Sequence, residues 1–149
     1  MKYLLPITLI LLAVAIPSHA VPPPGWTENY DKAVEKAKAE NKNLLLDFTG
    51  SDWCGYCIAL NKEVLSTPTF KAWAKEHVIL VEVDFPQTKP QTAKIKTQNV
   101  DLKSKYPFEG YPTIVIMDPD GKELARKTGY NPGSGPDDYI AALECAVKK

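Results

Sequence analysis

A dithiol at a strand-to-helix junction constrains this chain more than any other feature of its sequence. Residues 53–57 read Trp-Cys-Gly-Tyr-Cys, between the apolar run Leu-Leu-Leu-Asp-Phe at 44–48 and a helix-like segment that extends through Leu65. At a helix start, unpaired backbone N–H groups and the positive end of the helix dipole stabilise a thiolate, the attacking form of cysteine. Cys54 is therefore the candidate nucleophile. Cys57, about one turn further on, is placed to attack Cys54 once a mixed disulfide has formed. A purely structural crosslink is the alternative, but so short a ring removes little chain entropy on closing. Structural zinc would need two more Cys or His ligands, whereas the rest of the chain offers only Cys145, His19 and His77. Attachment of c-type haem would need His after the second Cys, where Ile58 stands. The pattern predicts thiol–disulfide exchange with no metal and no cofactor beyond the Cys54–Cys57 disulfide itself.

The N-terminus points to an exported protein. Met1 and Lys2 precede an apolar stretch at 4–16, followed by Pro17 and Ser18-His19-Ala20, small residues at the two positions a signal peptidase inspects. Residues 1–20 are read as a signal peptide cleaved after Ala20, which places the mature protein in the periplasm or outside the cell. The apolar stretch is too short for a comfortable membrane span. The 18 basic and 18 acidic side chains balance and are scattered, so nothing suggests nucleic acid or an anionic membrane surface as partner. The remaining length suits one domain with a sizeable core.

Pattern and punctuation give the order of elements. Residues 21–28 begin Val-Pro-Pro-Pro-Gly and form an extended leader, with 29–149 as the folded domain. Tyr30, Ala33, Val34 and Ala37 recur at helical spacing. The run at 44–48 is a buried strand, and the cysteine helix follows it. Ser66-Thr67-Pro68 then breaks that helix, with Thr67 able to cap and Pro68 to open a new one whose Phe70, Trp73 and Ala74 face the core. Residues 78–83 form a second buried strand. The polar stretch 89–105 carries a helix near its end, over 100–106. A strand at 113–117, a turn at Asp118-Pro119-Asp120-Gly121 and a returning strand at 122–127 make a hairpin. Tyr139, Ile140, Leu143 and Val147 complete the chain as an amphipathic helix.

This β-α-β-α-β-β-α order resembles the thioredoxin fold: an α/β domain with a central mixed sheet flanked by helices, here with an extra N-terminal helix. The most specific marks are Trp53-Cys54-Gly55-Tyr56-Cys57 and Gly110-Tyr111-Pro112-Thr113-Ile114, which look like those of thioredoxin and protein disulfide isomerase domains. Exported bacterial thioredoxin-like proteins carrying Phe48-Thr49-Gly50-Ser51-Asp52-Trp53-Cys54 are the nearest in kind. The resemblance implies a cis bond before Pro112, beside the dithiol, with the backbone of Tyr111 exposed for a substrate strand to pair. It also implies a buried acid behind the dithiol, which Asp47 matches. By the residues alone, Asp47 either faces solvent at an edge or is a buried carboxyl able to take the Cys57 proton. Thioredoxins commonly pair this acid with a lysine, whereas here the strand offers Glu82; two carboxyls in one pocket would raise each other's pKa. Gly129 resembles the glycine that lets substrate approach. Trp53 shields the dithiol and contacts partners, and Gly55 and Tyr56 lie between the cysteines. With Tyr111, Pro112 and Gly129, these three form the expected substrate-binding set.

Function follows as an expectation. The chain reads as a thiol–disulfide oxidoreductase acting on protein thiols and disulfides, in the reducing direction, kept reduced by a membrane or soluble electron donor. Disulfide isomerase or oxidase activity is one alternative; a non-catalytic thioredoxin-like binding module or metallochaperone is another. Cys145 falls away from the apolar face of the last helix, so the expected state is a monomer, with a Cys145-linked dimer as the route to self-association under oxidants.

Overall fold

The structure, a computed structural model, describes residues 21–147. The expected signal peptide and the side chain of Cys145 lie outside the described residues. Five strands form one sheet in the order β1-β3-β2-β4-β5. They are β1 (Trp26–Thr27), β2 (Asn43–Thr49), β3 (Val78–Asp84), β4 (Thr113–Met117) and β5 (Glu123–Thr128). β1 and β2 run parallel to β3, whereas β4 runs antiparallel to both β2 and β5. The mixed central sheet expected from the sequence is therefore present, with β2 at its middle.

Period-two alternation along β2 sorts its side chains between two cores. Leu44, Leu46 and Phe48 join Val81, Val83, Val115 and Met117 on one face. That face is covered by α1 (Tyr30–Glu40) and α4 (Ala93–Lys105), through Ala33, Ala37 and Leu102. Leu45 lies on the other face with Leu60, Phe70, Ile114, Ile116 and Leu143. Here the cover comes from α2 (Gly55–Leu60), α3 (Pro68–His77) and α5 (Gly135–Val147). Each fully buried Leu, Ile or Phe contributes about 1.5–3 kcal/mol of transfer free energy. Asp47 has the same parity as Leu45, so it points toward the helix that carries the cysteines.

The cysteine helix does not run evenly to Leu65. After α2 the chain widens into a π-helical turn, Asn61–Leu65, closed by the Ser66 N–H donating to the Asn61 carbonyl at 2.8 Å. Such turns cluster at functional sites. The break after it is as the sequence predicts: the Thr67 side chain accepts from the Phe70 N–H at 3.3 Å and Pro68 opens α3. Two expectations need correction. The leader is not extended throughout, because it turns at Pro24-Gly25 and adds β1 to the sheet. α4 starts at Ala93 rather than near residue 100, because Thr92 caps it by accepting from the Ile95 N–H at 3.2 Å. Only Asn99 and Leu102 of that helix are buried, so apolar periodicity could not reveal its first two turns.

Candidate active site

The end of β2 delivers the chain to the dithiol through the loop 50–54. Cys54 and Cys57 are joined by a disulfide, with Cα atoms 5.2 Å apart. Cys54 is the N-cap of α2: its backbone is extended (φ −86°, ψ 105°) and its Sγ accepts the Cys57 N–H at 3.2 Å. That donor is one of the unpaired N–H groups every helix start leaves, and it favours negative charge on this sulfur once the disulfide opens. Burial separates the pair. Cys54 keeps 7% of its surface exposed and Cys57 only 2%, so what solvent access exists belongs to the first cysteine. Cys54 is nonetheless more enclosed than an open nucleophile.

Trp53 is held rather than free. Its indole N–H donates to the Phe85 carbonyl at 2.7 Å, and its ring meets Tyr111 edge-on at 5.5 Å between centroids. It still exposes 41% of its surface. Gly50 permits this pose, because a Cβ there would collide with the indole. Tyr56 is 60% exposed, and Gly55 has open space where a side chain would be. The Tyr111–Pro112 bond is cis, as the family resemblance implied. Gly129, at φ 78°, donates its N–H to the Pro112 carbonyl at 2.8 Å. That left-handed conformation favours glycine. Tyr56, Tyr111, Gly129 and Tyr130 line one groove of about 550 Å³. The structure thus places Tyr56, Tyr111 and Gly129 on one groove, with Trp53 against Tyr111 and Gly129 bonded to Pro112, while Gly55 and Tyr56 lie between the two cysteines in sequence.

Asp47 is buried, not at an edge. It keeps 6% exposure on the central strand, and its Oδ1 has no hydrogen-bond partner. Together with Cys57 and Glu82 it lines a cavity of about 100 Å³ behind the dithiol, whose wall includes Asn61 and Leu65 of the π turn. Glu82 is its register partner on β3. Burial above all, and then the carboxylates of Glu82 and Asp84, hold the Asp47 carboxyl well above the ordinary aspartate range. Glu82 is pushed up to about 7 by burial, then by Asp84 and Glu28, against the opposing pull of Lys89.

Several residues of the site escaped sequence reading. Asp52 accepts from the backbone N–H groups of Gln87, Thr88 and Lys89 and from the Thr88 hydroxyl, at 2.6–3.1 Å. These bonds hold its carboxyl well below the usual range and pin the loop after β3 to the dithiol loop. Asp84 does the same for Ser51, accepting from its N–H at 2.9 Å and its hydroxyl at 2.5 Å. The Lys103 ammonium sits 5.2–5.5 Å from the ring centroids of Phe85, Phe108 and Tyr111, and donates to the Tyr111 hydroxyl at 3.1 Å. Partners 35–37 residues away left Asp52 without a local signal. Among the described residues, no group of three or more His, Cys, Asp or Glu is arranged to hold a metal ion.

Residues 30–144 match the thioredoxin-like domain family. The chain belongs to it. Among thioredoxin-like relatives, it is 40% identical over 121 residues to the disulfide bond reductase DsbH of Chlamydia pneumoniae, covering 81% of this chain and 72% of that protein. It is 34% identical over 114 residues to the thioredoxin-related protein DsbJ of the same organism, covering 72% of this chain and 33% of that one. A solved structure of a DsbH oxidoreductase superposes with a TM-score of 0.75 at 36% identity, covering 91% of this chain and 96% of that one. The thioredoxin-like architecture read from the sequence is thus shared across almost the whole described chain.

Proposed function

We propose that this thiol–disulfide oxidoreductase reduces protein disulfides in an exported compartment. The observation that carries the proposal is the asymmetry of the dithiol: Cys54 caps the helix and retains the exposed edge, while Cys57 is sealed against a cavity that holds a buried acid. The Cys54 thiolate attacks a substrate disulfide, forming a mixed disulfide and releasing one substrate thiolate. Cys57 then gives its proton to Asp47 and attacks the Cys54 sulfur. The bond between Cys54 and the substrate breaks, the second substrate thiolate leaves and takes a proton from solvent, and the Cys54–Cys57 disulfide remains. Two electrons have passed from the dithiol to the substrate, and a membrane or soluble thiol donor must return them. Tyr56, Tyr111 and Gly129 line the groove in which an extended substrate segment lies, with Trp53 packed against Tyr111 beside it.

The reducing direction draws support from the relative described as a disulfide bond reductase, and export from the N-terminal 20 residues. Insulin reduction separates catalysis from mere binding: turnover in the parent, lost in both Cys54→Ser and Cys57→Ser, is the expected result. An inert parent would point to a binding module instead. The reduction potential is expected below about −180 mV, on the reducing side of the isomerase range. A value near that of strong oxidants would reverse the direction while leaving the exchange chemistry in place.

A further inference from the structure

Glu82 lines two cavities at once. The inner one, of about 100 Å³, is the space behind the dithiol that it shares with Asp47 and Cys57. The outer one, of about 150 Å³, contains Glu28, Asp84 and Lys89 and reaches the exposed Val21. Pro23, Ser51 and Asn61 belong to both walls, so the two spaces meet at a partition through which only the Glu82 side chain carries an ionisable group.

This arrangement answers a difficulty in the resolving step. Burial raises the Asp47 carboxyl well above the ordinary aspartate range, and while it is protonated it cannot take a further proton from Cys57. It must first pass its own proton on. Asp47 lines the inner cavity, which is roomy enough for about three waters at ~30 Å³ each, and its Oδ1 has no hydrogen-bond partner. The register partner of Asp47 across the strands is Glu82.

We propose that Asp47 and Glu82 form a two-carboxyl proton relay: as Cys57 loses its proton to Asp47, the proton already on Asp47 crosses the inner cavity to Glu82, which releases it through the outer cavity to solvent. The Cys57 sulfur, now a thiolate, forms the bond to Cys54 and the substrate thiolate departs, so one proton leaves the site for each disulfide closed. The groups facing Glu82 are Asp47 from β2, Cys57 from α2 across the cavity, Asp84 on its own strand, Glu28 before α1 and Lys89 after β3. Tyr139 of α5 faces Asp47. Protonated, Glu82 is a donor toward solvent; ionised, with a pKa pushed up to about 7, it is an acceptor at neutral pH.

The relay rests on the exchange chemistry proposed above, and one experiment distinguishes their failures. Reduced protein in a Cys145→Ser background is mixed with 5,5′-dithiobis(2-nitrobenzoate) in a stopped-flow instrument from pH 5 to 9. The first thionitrobenzoate released reports attack by Cys54, the second reports closure by Cys57. In the parent, the second phase is expected to rise over two ionisations beyond that of the thiol. In Glu82→Gln one of them disappears, and the ratio of second-phase to first-phase rate at pH 7 falls about tenfold, a modest share of what a positioned proton carrier supplies. Glu82→Asp restores much of the ratio. A Glu82→Gln profile that keeps both ionisations and the parental ratio overturns the relay alone. Absence of the first phase in the parent overturns the exchange reading and the relay with it.

Discussion

Burying Glu82 beside Asp47 has a cost that can be measured as stability. Its pKa rises from 4.5 to about 7 on folding, so the sign is fixed: the folded state is favoured while the group is protonated, and that advantage is lost as pH climbs through about 7. Each unit of separation between the two pKa values is worth ~1.4 kcal/mol. Integrated from pH 5 to pH 8 the loss is roughly 2–3 kcal/mol, and partial exposure of the side chain brings it to about 2 kcal/mol. Glu82→Gln removes the titration and keeps the shape. Urea unfolding of the oxidised protein should therefore show the variant gaining on the parent by about 2 kcal/mol between pH 5 and pH 8, equivalent to roughly 6–10 °C in melting temperature. A difference between variant and parent that stays flat across this range would refute the electrostatic reading of the cavity.

Asp47→Asn should leave attack by Cys54 measurable but slow closure by about a hundredfold, so that a mixed disulfide accumulates and is seen by intact-protein mass spectrometry. Gly50→Ala drives a methyl group into the Trp53 indole; loss of the bond to the Phe85 carbonyl should shift Trp53 fluorescence and raise the KM for insulin. Phe70→Ala empties the core beneath α3 and should cost about 3–5 kcal/mol by denaturant unfolding, with the chemistry of the dithiol otherwise retained in the folded fraction.

The parts of the fold legible in the sequence are those whose signals are local. Thr67-Pro68 announces a helix start by cap and ring geometry, and the leucines at 44–46 announce a buried strand by composition. The dithiol needed only its place between these elements. α4 hid because polar anchors hold its first turns: Gln98 accepts from the Tyr30 N–H at 3.0 Å and donates to the Glu28 carbonyl at 2.7 Å, with no apolar stripe to betray it. β1 hid because two residues after a proline run carry no pattern at all. Asp47 could be nominated by its odd place in an apolar run, but its burial depends on β2 being central, which is a matter of strand order. Glu82 could be suspected from family likeness, yet its seat between two cavities follows from register with β2 and from the widened turn at Asn61–Leu65. Asp52 and Lys103 act on partners brought near only by tertiary folding, so no spacing along the chain points to them.

The two edges of the sheet bear on a hazard of this chemistry. An oxidoreductase that handles proteins with open disulfides meets unfolded chains, and an unfolded chain seeks any long, flat ladder on which to extend. Here one border is β1, two residues long, and the other is β5, which carries Glu123, Arg126 and Lys127 beside a bulge at Ile116/Met117. Both borders discourage templated aggregation, so that a chain held for disulfide exchange finds no long ladder to extend.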